Sequence, residues 1–420
     1  KTPAWAGRPD AAARQGTPGV PALRSPMGSP PAAKPQRPLG SAAVEPATRS
    51  GRPRTPSSDA PKPSARPLSA VTLLARRLSF ARAMTVEMPR QQQNLRAIRV
   101  LQEGDKIYDF YSWDKVLQEE GNGGKVVVCR PKAPGGQTNA DFVMKIRSKA
   151  QLRETCLEDQ FRRVQERMLN LPPHPGVVPI HEVLEDETFF YVVMEKARGG
   201  SLFGSLVSDF NDGCMPASAV KQVMHDIFEA VVHVHKQGML HRDIKPDNLV
   251  VQTHIGSSDG PPAASKRVML IDFDHADPDW NADSKGEESG EVFGTLRFNA
   301  PEALLGTFLP QGDLYSIGVI LYLLMTGRFP FAEDVYSECA EEGIPSRCRR
   351  NVVHRRMQEA SVDFEGSPWP DQPACKDLCR RLLAFEVCDR PASAQEALKH
   401  EWFGQNSLEG ARNASLHPLQ

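Results

Sequence analysis

Residues 241–248 read HRDIKPDN, His241 to Asn248, and this stretch decides how the 420-residue chain is read. It sets a carboxylate at Asp243, an ammonium two positions on at Lys245, and an amide at Asn248. Asp243 can accept a proton from an attacking hydroxyl. Lys245 can neutralise a phosphoryl group in transfer, and Asn248 offers an amide oxygen to a metal. Phosphoryl transfer depends on positioning and charge neutralisation, which this trio supplies.

Working outward, IDFDHAD (271–277) brings Asp272, a carboxylate suited to a hard cation such as Mg2+. GTLRFNAPE follows at 294–302. Toward the N-terminus, Val- and Phe-rich runs at 125–129, 142–146 and 189–194 are bounded by turn residues and read as short strands. Regular structure is expected from near Asp105. From Ala217 onward the period is helical: Ile227, Val231, Val232 and Val234 share one face, and Leu314 to Met325 reads as a wholly buried helix. Strands first and helices afterwards predict an α+β chain with two lobes of different class and a cleft between them.

These motifs resemble the eukaryotic protein kinase family over about Phe110 to Phe403, with the lysine two residues after Asp243 resembling its serine/threonine branch. HPGVVPIHEVLEDETFFYVVMEKARGGSLF (174–203), TGRFPF (326–331) and RPASAQEALKHEWF (390–403) are similar to the calcium/calmodulin-dependent and calcium-dependent group. The resemblance implies a bilobal kinase fold: a small β-rich N-lobe with hinge over 105–198, a larger helical C-lobe over 199–403 and a tail over 404–420. It implies ATP and Mg2+ as cofactors and protein Ser/Thr hydroxyls as substrates. Asp243 would be the base, with Mg2+ held by Asn248 and Asp272. Lys145, in FVMKI, would contact the α- and β-phosphates and pair with a helical glutamate, Glu166, or else Glu158. Met194 would be the gatekeeper, and backbone groups of Glu195 and Ala197 would bond adenine. His241 would pack on Phe273 and Arg242 would meet an activation-segment phosphate, for which Ser284, Ser289 and Thr295 are candidates, unless the acids Glu287, Glu288 and Glu291 already supply that charge. Glu302 with Arg390, and Asp313 beneath the catalytic loop, would lock the helical lobe.

The chain departs from the family pattern at the glycine-rich loop. Aligning on Val126, EEGNGGKV keeps Gly121 and Gly124 but has Glu119 for the first glycine and Gly123 for the usual aromatic. IDFD also has Asp274 where the family has glycine. These departures motivate a second reading, a catalytically weak scaffold pseudokinase. Retention of Lys145, Asp243, Asn248 and Asp272 together speaks against it.

Composition divides the chain in two. Up to Arg90 there are 15 Lys or Arg against four acids, a net of +11; with −1 for the whole, the remainder carries −12. A basic arm over 1–100, rich in Pro, Arg and Ser, cannot bury enough apolar surface to fold and is expected to be disordered. Within it, 71–84 can form a short basic amphipathic helix for docking or membrane-surface contact. The acidic body disfavours nucleic-acid binding. Eight scattered cysteines lack metal-ligand spacing and read as reduced core thiols, and no apolar run is long enough for a transmembrane segment. With 17 residues after Phe403 there is no EF-hand, so direct calcium control is not expected of this chain. Cytoplasmic or nuclear placement is expected, with organellar targeting by the basic arm left open.

Overall fold

The computed structural model describes residues 95–119, 124–133, 136–137, 141–204, 215–255, 264–281, 293–337 and 346–404. The arm before residue 95 with its expected helix, Gly121, Ser284, Ser289 and the tail beyond 404 lie outside the described residues.

The first lobe runs β1 (Arg99–Val100), α1 (Ile107–Phe110), β2 (Tyr111–Gln118), β3 (Lys125–Ala133), β4 (Gly136–Gln137), β5 (Phe142–Ser148), α2 (Lys149–Glu154), α3 (Glu158–Leu169), β6 (Ile180–Glu185) and β7 (Phe189–Glu195). The strand order is β1-β6-β7-β5-β3-β2, with β4 beside β3. Strand β5 is flanked on both sides, with Lys145 opposite Val126 of β3 and Val192 of β7. Side chains alternate along a strand. Met144 and Ile146 join an apolar cluster with Val127 and Tyr191, which leaves Lys145 and Arg147 on the opposite face.

Order starts earlier than expected, because β1 pairs in parallel with β6. The backbone N–H of Arg96 donates to Asn170 Oδ1 at 2.8 Å. Its guanidinium reaches the carbonyls of Leu169 (3.4 Å), Ile180 (3.2 Å) and His181. A two-residue strand has no alternation to read; these long-range hydrogen bonds define it.

The second lobe holds α4 (Ala217–Lys236), β8 (Leu249–Ile255), β9 (Ala264–Leu270), α5 (Pro301–Leu304), α6 (Pro310–Thr326), α7 (Glu333–Tyr336), α8 (Ser346–Glu359), α9 (Pro373–Leu382) and α10 (Ala394–Ala397). Helix α6 is buried all round from Asp313 to Leu324, as its unbroken apolar run requires. Helix α9 approaches it over Gly318, where a Cβ would lie 2.7 Å from Leu382 Cβ. The α4 face is Ile227, Val231 and Val234, each buried, while Val232 sits at its margin. Strands β8 and β9 form a hairpin whose ladder runs from Leu249–Leu270 to Ile255–Ala264. Cys375 and Cys379 are buried and reduced on α9.

One core cluster joins α4, α6 and α9 and also takes in Val164 and Met168 of α3 together with Phe273. Helix α3, which follows the sheet's third long strand, is therefore seated on the second lobe. Among the described residues, no helix is long and apolar enough to cross a membrane. The α+β bilobal fold expected from the sequence is the one observed.

Candidate active site

The 241–248 loop is held from below by one carboxylate. Asp313, in the first turn of α6, accepts from the backbone N–H of His241 (3.0 Å) and of Arg242 (2.9 Å), and its Oδ2 lies 2.8 Å from His235 Nε2. Burial alone would raise its pKa, but His235 and His241 outweigh that and hold the carboxyl below its ordinary value. These bonds keep Arg242 at a left-handed φ of 65°, a costly conformation for a residue with a Cβ.

Above that anchor, Asp243 is buried and surrounded by donors. Lys245 Nζ is 2.8 Å from Oδ2, Thr295 Oγ1 is 3.0 Å from Oδ1, and Asn248 Nδ2 bonds both the Asp243 carbonyl (2.8 Å) and Oδ2 (3.1 Å). Lys245 Nζ also donates to Thr295 Oγ1 at 2.8 Å. The Thr295 hydroxyl, expected as a candidate phosphosite, is thus engaged by both Asp243 and Lys245. With its NH2 turned to Asp243, Asn248 keeps its amide oxygen as an acceptor.

Asp272, at φ 64°, follows β9, and the ring of buried Phe273 lies 4.6 Å from that of His241. The His241 Nε2 is 3.0 Å from the Ile271 carbonyl, so ring and segment are fixed together. Lys145 Nζ lies 2.7 Å from Asp272 Oδ1 and 2.8 Å from Asp274 Oδ2, and Arg147 Nε lies 3.2 Å from that same Asp274 oxygen. Burial opposes the ammonium of Lys145, but Asp274 and then Asp272 outweigh it and hold its pKa above the ordinary lysine value. Burial likewise opposes the charge on Asp272, and Lys145 outweighs it, so that carboxyl sits well below its ordinary range. A carboxylate kept ionised and an amide oxygen left free are the oxygen donors that a magnesium ion takes.

The structure does not bring Glu166 to Lys145. Helix α3 buries Phe161, Val164, Gln165, Met168 and Leu169, an i, i+3, i+4 pattern, and Glu166 falls on its solvent side. The alternative, Glu158, pairs with Arg153 through bonds of 2.5 and 3.1 Å. Helix α3 instead meets the segment after Phe273 through Gln160 Nε2 to the Ala276 carbonyl (3.0 Å), Arg163 to Asp279 (2.9 Å) and Arg167 to the Pro278 carbonyl (3.1 Å).

Among the described residues, Arg242 already has a carboxylate partner. Its guanidinium donates to the Asp277 carboxylate and lies over the rings of Phe308 (4.6 Å) and Phe293 (5.5 Å). None of these three partners was singled out in the sequence, although Asp277 stands in the quoted IDFDHAD.

In the glycine-rich segment, Gly124 has φ 81°, and a Cβ there would lie 2.3 Å from the Ile146 carbonyl, so no other residue fits without displacing β5. Val126, paired with Lys145 across the ladder, is half-buried beside it. Glu119 lies 3.5 Å from Lys125, at the exposed edge. Met194 is half-buried near the end of β7, and the N–H of Glu195 is donated to the Pro179 carbonyl (3.2 Å). Ala197, also half-buried, follows in the connection between the lobes. Farther down, Arg390 makes a bidentate pair with Glu302 at 2.7 and 2.8 Å.

The family model described as the protein kinase domain matches residues 117–403. The chain is 32% identical over 288 residues to calcium-dependent protein kinase 7 of Arabidopsis thaliana, covering 68% of this chain and 48% of that protein. It is 31% identical over 303 residues to calcium-dependent protein kinase 24 of Oryza sativa subsp. japonica (72% and 52%), and 30% identical over 298 residues to a CDPK-related protein kinase of Daucus carota (70% and 44%). The chain spans about half the length of the curated relatives it matches.

Proposed function

This chain belongs to the protein kinase family, of the serine/threonine kind found in calcium-dependent and CDPK-related kinases, and on that premise we propose that it is an active kinase. It transfers the γ-phosphate of ATP to Ser or Thr hydroxyls of protein substrates. The observation that carries the reading is the buried Asp243 carboxylate, held between Lys245, Thr295 and Asn248. Asp243 accepts the proton of the substrate hydroxyl as that oxygen attacks the γ-phosphorus. Lys245, 2.8 Å from the same carboxylate, meets the negative charge that gathers on the transferring group. Lys145 holds the α- and β-phosphates from β5. Asn248 and Asp272 would hold Mg2+, which supplies charge neutralisation to the phosphates when bound. Gly124 and Val126 cover the nucleotide, and Met194, Glu195 and Ala197 border its base.

A radiolabelled ATP assay on the purified chain tests this. Transfer to a protein substrate is expected, and Asp243→Asn should lower it by about 10²–10⁴-fold, the usual contribution of a positioned base. Absence of any transfer, together with no rise in melting temperature on adding Mg-ATP, would overturn the proposal. A scaffold, the second reading suggested by Glu119 and Asp274, would give that second result or bind ATP without transfer.

A further inference from the structure

Two basic side chains, Lys145 and Arg147, stand two residues apart on one face of β5 and are both buried. Buried cations need carboxylates. The inner face of α3, where a glutamate was expected, presents Phe161, Val164, Gln165, Met168 and Leu169 and no acid. Among the described residues, the carboxylates within ion-pair distance of Lys145 are those of Asp272 and Asp274. Asp272 is the proposed magnesium ligand, so its charge is shared with the metal. Asp274 is the one left to Lys145.

We infer that Asp274 is the positioning residue for Lys145, supplying from the segment after β9 the carboxylate that a helical glutamate was expected to supply; the inference rests on the kinase reading above. Several observations support this. Asp274 is as well shielded as its partner, with side-chain exposures of 10% and 8%, so the 2.8 Å pair is little screened by solvent. Arg147 Nε, 3.2 Å from the same Asp274 oxygen, sets a second cation against that carboxylate. Arg147 in turn lies 5.9 Å over the Phe161 ring, so the pair still senses where α3 sits, through stacking rather than through a glutamate. Finally, Phe273 lies against His241, which holds Asp274 turned toward β5. The aspartate in place of glycine therefore compensates for a missing acid elsewhere.

The test compares Asp274→Asn, Asp274→Glu and Asp274→Gly in the full chain. Two readouts are used: kcat and KM for ATP, and equilibrium binding of a fluorescent ATP analogue in EDTA, which reports the lysine–phosphate contact without metal. Asn keeps the shape and removes the charge, Glu keeps the charge, and Gly restores the family's usual residue. We expect Asn and Gly each to lower kcat/KM by about 10–100-fold, the scale of a misplaced reacting group, and to weaken analogue binding, while Glu recovers most of both. A Gly or Asn variant that binds and turns over as well as the parent, or better, overturns the inference. If the parent transfers no phosphate but its analogue binding depends on the Asp274 charge, the activity proposal falls and this one stands. If the parent does not bind the analogue, both fall.

Discussion

At the scale of single residues, this site is an arrangement of buried charges, each needing an opposite partner. Asp313 answers His235 and two backbone amides; Asp243 answers Lys245; Asp274 answers Lys145 and Arg147. Arg242 follows the same rule with Asp277, and this has a regulatory consequence. A guanidinium already neutralised by a carboxylate and covered by Phe293 and Phe308 gains little from a phosphate. Phosphatase treatment of the purified chain should therefore leave kcat essentially unchanged, whereas Asp277→Ala should lower it, as read by steady-state assay before and after treatment. A collapse of activity on dephosphorylation would show that Arg242 exchanges Asp277 for a phosphate. The acids of IDFDHAD were visible in the sequence, but their partners were not. Which of these three carboxylates meets which cation depends on a backbone turn that includes a left-handed Asp272.

At the scale of elements, α3 is the piece whose placement matters most. That a helix follows β5 was legible; its burial register, which puts Gln165 inside and Glu166 outside, was not. The helix is fastened at its C-terminal end by the chain before β1, where Asn170 and Arg96 exchange bonds and Arg96 reaches three carbonyls. Removing the guanidinium by Arg96→Ala should weaken this corner by about 1 kcal/mol, the net value of a hydrogen bond at a partly exposed site. Amide hydrogen exchange in residues 158–169 should then quicken by about fivefold. Exchange there that is indifferent to the substitution would show that α3 is held by its core contacts alone. No sequence pattern announced this strap, since arginine donating to carbonyls 73 to 85 residues away leaves no local trace.

At the scale of the whole molecule, the second lobe is locked by Glu302 and Arg390, which lie 88 residues apart in sequence. The Arg390 side chain is fully buried and also donates to the carbonyls of Ala384, Gln311 and Phe385. Glu302→Ala would leave that charge uncompensated and should cost about 3–5 kcal/mol, measured as a lower urea midpoint for the chain. A shift near zero would mean that the carbonyls alone satisfy the arginine. By itself, the sequence determined the kinase fold and the serine/threonine reading, and it brought out the proposed catalytic side chains around Asp243, because their spacing is local and their chemistry restrictive. Only the tertiary structure decided the partners of Lys145, Arg242 and Thr295. Ion pairing in a buried cleft is set by which faces of distant elements meet, and a linear pattern carries the charges without saying how they are matched.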